Sequence, residues 1–363
     1  VFVALRDIRF AKGRFALMGS VVALITLLIV LLSGLTAGLA DQSTSAVRNL
    51  PADRVAFGTS GGGEVEESYD DSTVTRDQLD TWSDPSGWAE PVGITRTRME
   101  TPEDESTAVA LFGVVPEGRL APEELPRGEY LAVGEELAED HDLSEGSPVA
   151  VNGRELEVAA VVSDEYYSHT PAVWTDVRTW RGIDPRVRHA EGAHAPVASV
   201  IASGGAGEQA AEASDTEAGT VSATLADSMS AIGSFSSENS SLVAMQGFLY
   251  AISALVVGAF LTVWTIQRSG DVAILKALGG STGYLLRDAL AQALIVLTAG
   301  AALGGAVGVG VGALAAGVLP FSLTASTTIV PVAALIVLGM LGAALAVRRV
   351  TSVDPLIALG GVR

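Results

Sequence analysis

The side chains able to do chemistry in this chain are few, and their spacing excludes most reactions. There is no cysteine, hence no thiolate nucleophile, no thiolate metal site and no disulfide frame. The four histidines, His141, His169, His189 and His194, have none of the spacings with which imidazoles close on one metal ion. No G-x-x-x-x-G-K-[ST], H-E-x-x-H or G-x-S-x-G stretch occurs. A phosphate-cradling loop, a zinc-protease helix and a nucleophile elbow are therefore missing. The run Glu135, Glu136, Glu139 and Asp140 reads as a solvated helix face. What remains is a segment suited to docking, RSGDVAILKALGGSTGYLLRDAL (268–290). Its spacing predicts a short helix from Asp271 to Leu278 with Val272, Leu275 and Leu278 apolar, stopped at Gly279-Gly280 before Ser281 caps the next helix. Such a turn, with exposed apolar residues, fits a groove on another protein.

The elements that must position these residues follow from charge and hydropathy. The chain has 363 residues, 48% hydrophobic and 18% charged, with a net charge of −20 and a mean hydropathy of +0.39. Residues 41–241 hold 38 acidic and 12 basic side chains, a net of −26, whereas the remainder holds 10 basic and 4 acidic, a net of +6. One acidic, soluble-type block is thus inserted into a basic, apolar frame. Nucleic acid is excluded as a partner, because such a block repels phosphate.

Four runs are long enough to cross the hydrocarbon, which needs about 20 apolar residues. They are residues 15–40, 241–267, 287–318 and 329–347; the last two come from dividing the uncharged stretch 289–347 at Leu319-Pro320 and a Ser/Thr-rich turn. The first is longer than a signal-peptide core and is expected to be retained. Arg6, Arg9, Lys12 and Arg14 precede the first run, Arg268, Lys276 and Arg287 separate the second and third, and Arg348 and Arg349 follow the fourth. Basic flanks stay inside. Both termini are expected in the cytoplasm, residues 41–240 outside, and the chain in the plasma membrane. Residues 1–14 suit an amphipathic helix at the inner surface, 268–286 a cytoplasmic coupling turn and 348–363 a cytoplasmic tail. In the third run Gly300, Gly304, Gly308 and Gly312 share one face where another helix can approach closely. Whether that helix belongs to the same chain is open.

The block between the first and second runs reads as an α+β domain with helical connectors into the membrane. VAVNGRELEVAAVV (149–162) is a hairpin signal, with Asn152-Gly153 as the turn. PAVWTDVRTWR (171–181) suits a strand entering a helix, and GEELAEDHDL (134–143) a helix. Residues 58–75 and 203–219, rich in Gly, Ser and acids, are expected as loop.

The 268–279 segment resembles the R-x-x-[ED]-[IV]-A-[IL]-L-[KR]-A-[LI]-G motif of the FtsX-like permeases, the MacB-type class of ABC transporter. The ending RRVTSVDPLIALGG (348–361) is similar to that family's basic pair followed by D-P-x-x-A-L. The resemblance implies no enzyme but a membrane α-helical permease with four transmembrane helices and one extracellular α+β domain between the first two. It implies a homodimer docked on two copies of a separate ATPase subunit that holds ATP and Mg, with Asp271, Ile274, Leu275, Lys276, Leu278 and Gly279 as the coupling residues. Within the family, LRDIRFAKGRFALM, RNLPADRVAF, SDEYYSHTPAVW and AIGSFSSENSSL are similar to the DevC-like permeases of haem exporters.

That subfamily resemblance implies haem as a transported ligand, with no permanently bound cofactor. A haem exporter needs an apolar slot, an iron ligand and a cation for the propionates. Met229, Phe235, Glu238 and Met245 cluster near the outer end of the second span, and Arg48 lies just beyond the first. Relatives tend to carry Tyr where Phe235 stands; Phe cannot ligate, so iron would fall to Glu238 or Met245 or stay unligated. Tyr166, Tyr167 and His169 are further candidates. Each has a plainer reading: methionine as packing, Glu238 as a cap for a helix starting near Asn239, Arg48 as an interfacial anchor and the tyrosines as sheet residues. The alternative function is an FtsX-type mechanotransmitter, which relays ATPase motion to an extracellular partner and moves no substrate.

Overall fold

A computed structural model of the chain describes residues 12–59, 63–83, 87–103, 105–122, 125–192, 194–267 and 282–351. The chain divides into two compact units, one of Val1–Gly38 with Ser240–Arg363, the other Leu39–Asn239. The described elements begin with α1 (Lys12–Arg48), β1 (Arg54–Phe57), β2 (Val74–Thr75), α2 (Arg76–Ser83), β3 (Trp88–Glu100) and β4 (Ser106–Val114). Then come β5 (Tyr130–Gly134), α3 (Glu135–Asp140), β6 (Pro148–Val151), β7 (Arg154–Val162), β8 (Tyr166–Tyr167), β9 (Thr170–Asp176) and α4 (Val177–Ile183). The remainder are β10 (Pro196–Ala198), β11 (Val200–Gly204), α5 (Glu208–Ala218), β12 (Val221–Thr224), α6 (Leu225–Ser228), α7 (Gly233–Gln267), α8 (Thr282–Ala315) and α9 (Ala325–Thr351).

The helical unit is built from α1, α7, α8 and α9, all long and apolar enough to cross a membrane. Its core joins Phe15, Met18, Val22 and Ile29 of α1 to Val296, Leu297 and Ala301 of α8 and Leu335 of α9. The glycine face of α8 meets α1 of the same chain. A Cβ on Gly300 or Gly304 would strike the carbonyl oxygens of Gly19 or Ala23, and one on Gly308 would press on Val30. Gly312 instead accommodates the ring of Phe321. The link before α9 folds back on α1, where the Ser322 N–H donates to the Gly34 carbonyl (3.1 Å). Thr324 and Thr327 then cap α9 reciprocally, each hydroxyl accepting the other's N–H at 3.2 and 2.9 Å. Between α7 and α1, Gln246 donates to Thr36 Oγ1 (3.3 Å).

The inserted unit holds a mixed sheet of order β12-β1-β11-β3-β4-β9-β5-β7-β6, with β8 beside β9. Its pairs are antiparallel except β4–β9 and β5–β7. Successive side chains of a strand point to opposite faces, so β4 serves two cores. Ala110, Phe112 and Val114 pack with Val55, Phe57 and Trp174, whereas Val109 and Leu111 pack with Val133, Val158 and the fully buried Trp180 of α4. Burying one such large apolar side chain is worth about 1.5–3 kcal/mol. Asn152 and Gly153 form the β6–β7 turn, both at positive φ (52° and 76°). Asp184, fully buried, is held by Thr95 and by Arg186 (2.8 Å). Arg186 also bridges the carbonyls of Asp70 and Ile94, a structural staple.

Several boundaries differ from the sequence reading. α1 continues past residue 40 to Arg48, and α7 starts at Gly233 rather than 241. The added turns are polar on average, but Ala46, Val47 and Phe235 pack into the inserted unit's core. α8 ends at Ala315 rather than 318, and α9 starts at Ala325 rather than 329. Residues 208–218, expected as loop, form α5, because Ala211 and Ser214 are buried and Gly219 ends the helix at φ 64°. Residues 1–11 of the amphipathic segment, residues 268–281 of the coupling turn and residues 352–363 of the tail lie outside the described residues.

Candidate functional site

The sequence candidates converge on one turn. Tyr166 and Tyr167 form β8, which pairs with Thr170 and Pro171 of β9 across a two-residue loop, Ser168-His169. Both loop residues have positive φ, 52° and 61°. That geometry suits a hairpin but favours Asn and Gly, and each non-glycine residue held there costs of order 1 kcal/mol.

The strained tip is bound on two sides. The Ser168 and His169 N–H groups donate to the carbonyls of Ser43 and Gln42 in the last turns of α1, both at 3.0 Å. Ser168 Oγ donates to Ser234 Oγ of α7 (2.9 Å). His169 Nε2 lies 2.9 Å from Ser43 Oγ and 3.0 and 3.1 Å from the two carboxylate oxygens of Glu238. An ionised carboxylate only accepts, so Nε2 carries the proton and Nδ1 keeps its lone pair in the neutral ring. The side chains of His169 and Glu238 are 30% and 42% exposed, so the pair is open to a ligand. A carboxylate on one imidazole nitrogen is the usual support for a histidine that ligates metal through the other.

Neighbouring polar groups brace this clasp. Tyr166 N–H donates to Ser45 Oγ (2.8 Å), and its hydroxyl donates to Glu136 of α3. Burial, then the Glu136 hydrogen bond and charge, hold the Tyr166 phenol above the ordinary tyrosine range. Burial and Asp70 do the same for Tyr167, which packs edge-on against Tyr69 and Phe112. Neither is a phenolate at neutral pH. Asn49 donates to Glu165 (3.1 Å), whose carboxyl is raised by burial against the lowering effect of Asn49 and Arg48. Arg48 pairs with Asp41, one helical face below.

The structure therefore brings His169 and Glu238 together, keeps Tyr166 in the same hairpin with its hydroxyl on Glu136, and uses other candidates elsewhere. Met229 is buried in the inserted unit's core, and Phe235 packs against the same core. Met245 belongs to the helical unit and is 47% exposed. Glu238 does not cap a helix at Asn239, since α7 already starts at Gly233. Ser43, Ser168 and Ser234 were not read from the sequence as site residues. Their signal was faint: two aromatic residues, a two-residue gap lacking glycine, then a second extended run. Among the described residues, no group of three His, Asp or Glu side chains is placed to hold a metal ion.

Comparison with known proteins finds a family match in the C-terminal part of the chain. Residues 229–355 match the FtsX-like permease C-terminal family. Over 362 residues the chain is 24% identical to the "Putative hemin transport system permease protein HrtB" of Staphylococcus epidermidis, covering 99% of each. It is 26% identical over 371 residues, again 99% of each, to an uncharacterized ABC transporter permease of Mycobacterium tuberculosis. Among solved structures, the periplasmic region of MacB from Actinobacillus actinomycetemcomitans is similar at 15% identity and a TM-score of 0.35, covering 50% of this chain and 92% of that one. These sequence relatives are permease components of transport systems, not enzymes.

Proposed function

With residues 229–355 an FtsX-like permease domain and the full length similar to ABC permease components, we propose that the chain is the permease subunit of an ATP-driven haem exporter. Two copies form a homodimer on two copies of a separate ATPase subunit, which binds ATP and Mg. The domain between α1 and α7 lies outside the plasma membrane, and both termini lie in the cytoplasm. The end-to-end likeness to hemin-transport permeases supports the substrate class. One observation in the site carries the chemistry: an accessible His169 whose Nε2–H is held by Glu238, leaving Nδ1 to meet ferric iron. His169 then takes the ligand role before Glu238 or Met245, with Glu238 setting its tautomer. Arg48, already paired with Asp41, would have to release that partner to meet a propionate.

Motion generated at the ATPase reaches this site along α1 and α7. The hairpin tip is bonded to both helices, so a change in their separation must open or re-register the clasp. A second reading, the mechanotransmitter, is favoured by Met229 and Phe235. Both are committed to the inserted unit's core and so do not line a slot for a flat ring.

The test is a haemin titration of the purified full chain in detergent, followed by Soret absorbance. A saturable, stoichiometric shift that His169→Ala abolishes and Met245→Ala leaves intact is the expected outcome. A non-saturating shift indifferent to both substitutions would reflect partition into detergent and would favour the mechanotransmitter. In the assembled complex, Leu275→Asp or Leu278→Asp is expected to abolish coupled ATPase activity; unchanged coupling would remove the docking role given to 268–279.

A further inference from the structure

The inserted unit contains a pocket of about 220 Å³ that the haem reading does not use. Its walls include Leu50 just after α1, Leu120, Val162 and the buried Trp174, with Asn49, Arg119, Ser163 and Glu165 as polar members. A cavity that sets apolar side chains beside a few convergent polar groups is a usual form of a small-ligand site. At that size this pocket is too small to enclose a tetrapyrrole.

Charge decides what would fit. Glu165 accepts a hydrogen bond from Asn49 (3.1 Å), and among the described residues it forms no ion pair. Burial disfavours its ionised form, which an incoming cation would restore. Arg48, the nearest basic group on α1, is taken by Asp41. Arg119 also borders the pocket, but its guanidinium lies over the Trp88 ring, 5.5 Å from the centroid. An anion such as a propionate would meet Glu165 as a repelling charge once it ionises, and a neutral apolar molecule would add no partner to its Asn49 hydrogen bond.

We propose that this pocket binds a small organic amine, its ammonium group on Glu165 and its short apolar body between Trp174, Leu120 and Val162. The site is independent of the haem reading. Because Asn49 and Leu50 belong to the chain leaving α1, an occupied pocket tightens the end of that helix against the sheet.

The experiment is calorimetric titration of the full detergent-solubilised chain with three matched probes: 2-phenylethylamine, 2-phenylethanol and 3-phenylpropionate. Expected is one saturable site for the amine, roughly tenfold tighter than for the alcohol, the effect of one charge-assisted hydrogen bond. The carboxylate should not bind. Glu165→Gln should weaken the amine about tenfold and leave the alcohol unchanged, and Val162→Phe should block both. Equal affinity for the three probes, preference for the carboxylate, no saturable binding, or amine binding unchanged in Val162→Phe would each overturn the proposal. If Glu165→Gln fails to fold, probe selectivity on the unsubstituted chain and the Val162→Phe result still decide it.

Discussion

Two hairpin turns in the inserted unit share one backbone geometry and differ in every residue. Asn152-Gly153 joins β6 to β7 at φ 52° and 76°; Ser168-His169 joins β8 to β9 at φ 52° and 61°. The first uses the residues that adopt this geometry most readily. The second does not, and it persists because α1 and α7 hold it through main-chain and side-chain hydrogen bonds. A turn that folds by itself needs no outside support, whereas a strained turn that others hold down is a candidate for function.

Breaking the held turn should have the largest effect. On the proposed function, His169→Ala is expected to lower haemin export by the assembled complex at least about tenfold, one clasp hydrogen bond to a charged group and the proposed iron ligand being lost together. Glu238→Gln should be milder, since the amide oxygen still accepts from Nε2–H; equal loss in both variants would mean that the carboxylate charge, not the clasp, matters. His169→Gly sharpens the comparison further. Relief of the positive-φ strain offsets the lost hydrogen bonds, so thermal unfolding should move by less than about 1 kcal/mol while export stays lost. A large destabilisation would show the turn to be ordinary structure.

The self-sufficient turn gives the opposite pattern. Gly153→Ala should destabilise the inserted unit by about 1 kcal/mol, measured by denaturant unfolding, and leave export unchanged. Impaired export at normal stability would assign that turn a function as well. The smallest expected effect is at Glu165. Burial raises its folded-state pKa, so ionising it disfavours the folded state as pH rises through that value. Below the ordinary glutamate range both states are protonated and the effect vanishes. Glu165→Gln should therefore raise the melting temperature at neutral pH and match the parent chain in acid; a difference that persists in acid would trace to packing instead.

Much of this contrast was legible residue by residue. Asn152-Gly153 between valine-rich runs reads as a hairpin because turn chemistry is local. Ser168-His169 does not, because neither residue prefers positive φ and the bonds that impose it come from residues 126 and 69 positions away in the chain. His169 and Glu238 were both named as candidates, yet separately, and Met229 and Phe235 were drawn to the same site although they belong to the core. Residues 208–218 read as loop because their composition is acidic and small; burial of Ala211 in one cluster with Leu79 and Trp82 of α2 and Ile201 of β11 makes them α5.

Amino-acid order alone determined the division into an acidic inserted block and a basic apolar frame, and the four hydrophobic runs. These depend on transfer of side chains between water and hydrocarbon, which sums over a window and needs no knowledge of neighbours. Tertiary structure alone decided where α1 ends and α7 begins, which helix meets the glycine face of α8, and which imidazole meets which carboxylate. Those outcomes depend on burial and hydrogen bonds between segments far apart in the chain, where one contact of about 1 kcal/mol overrides a local preference of the same size.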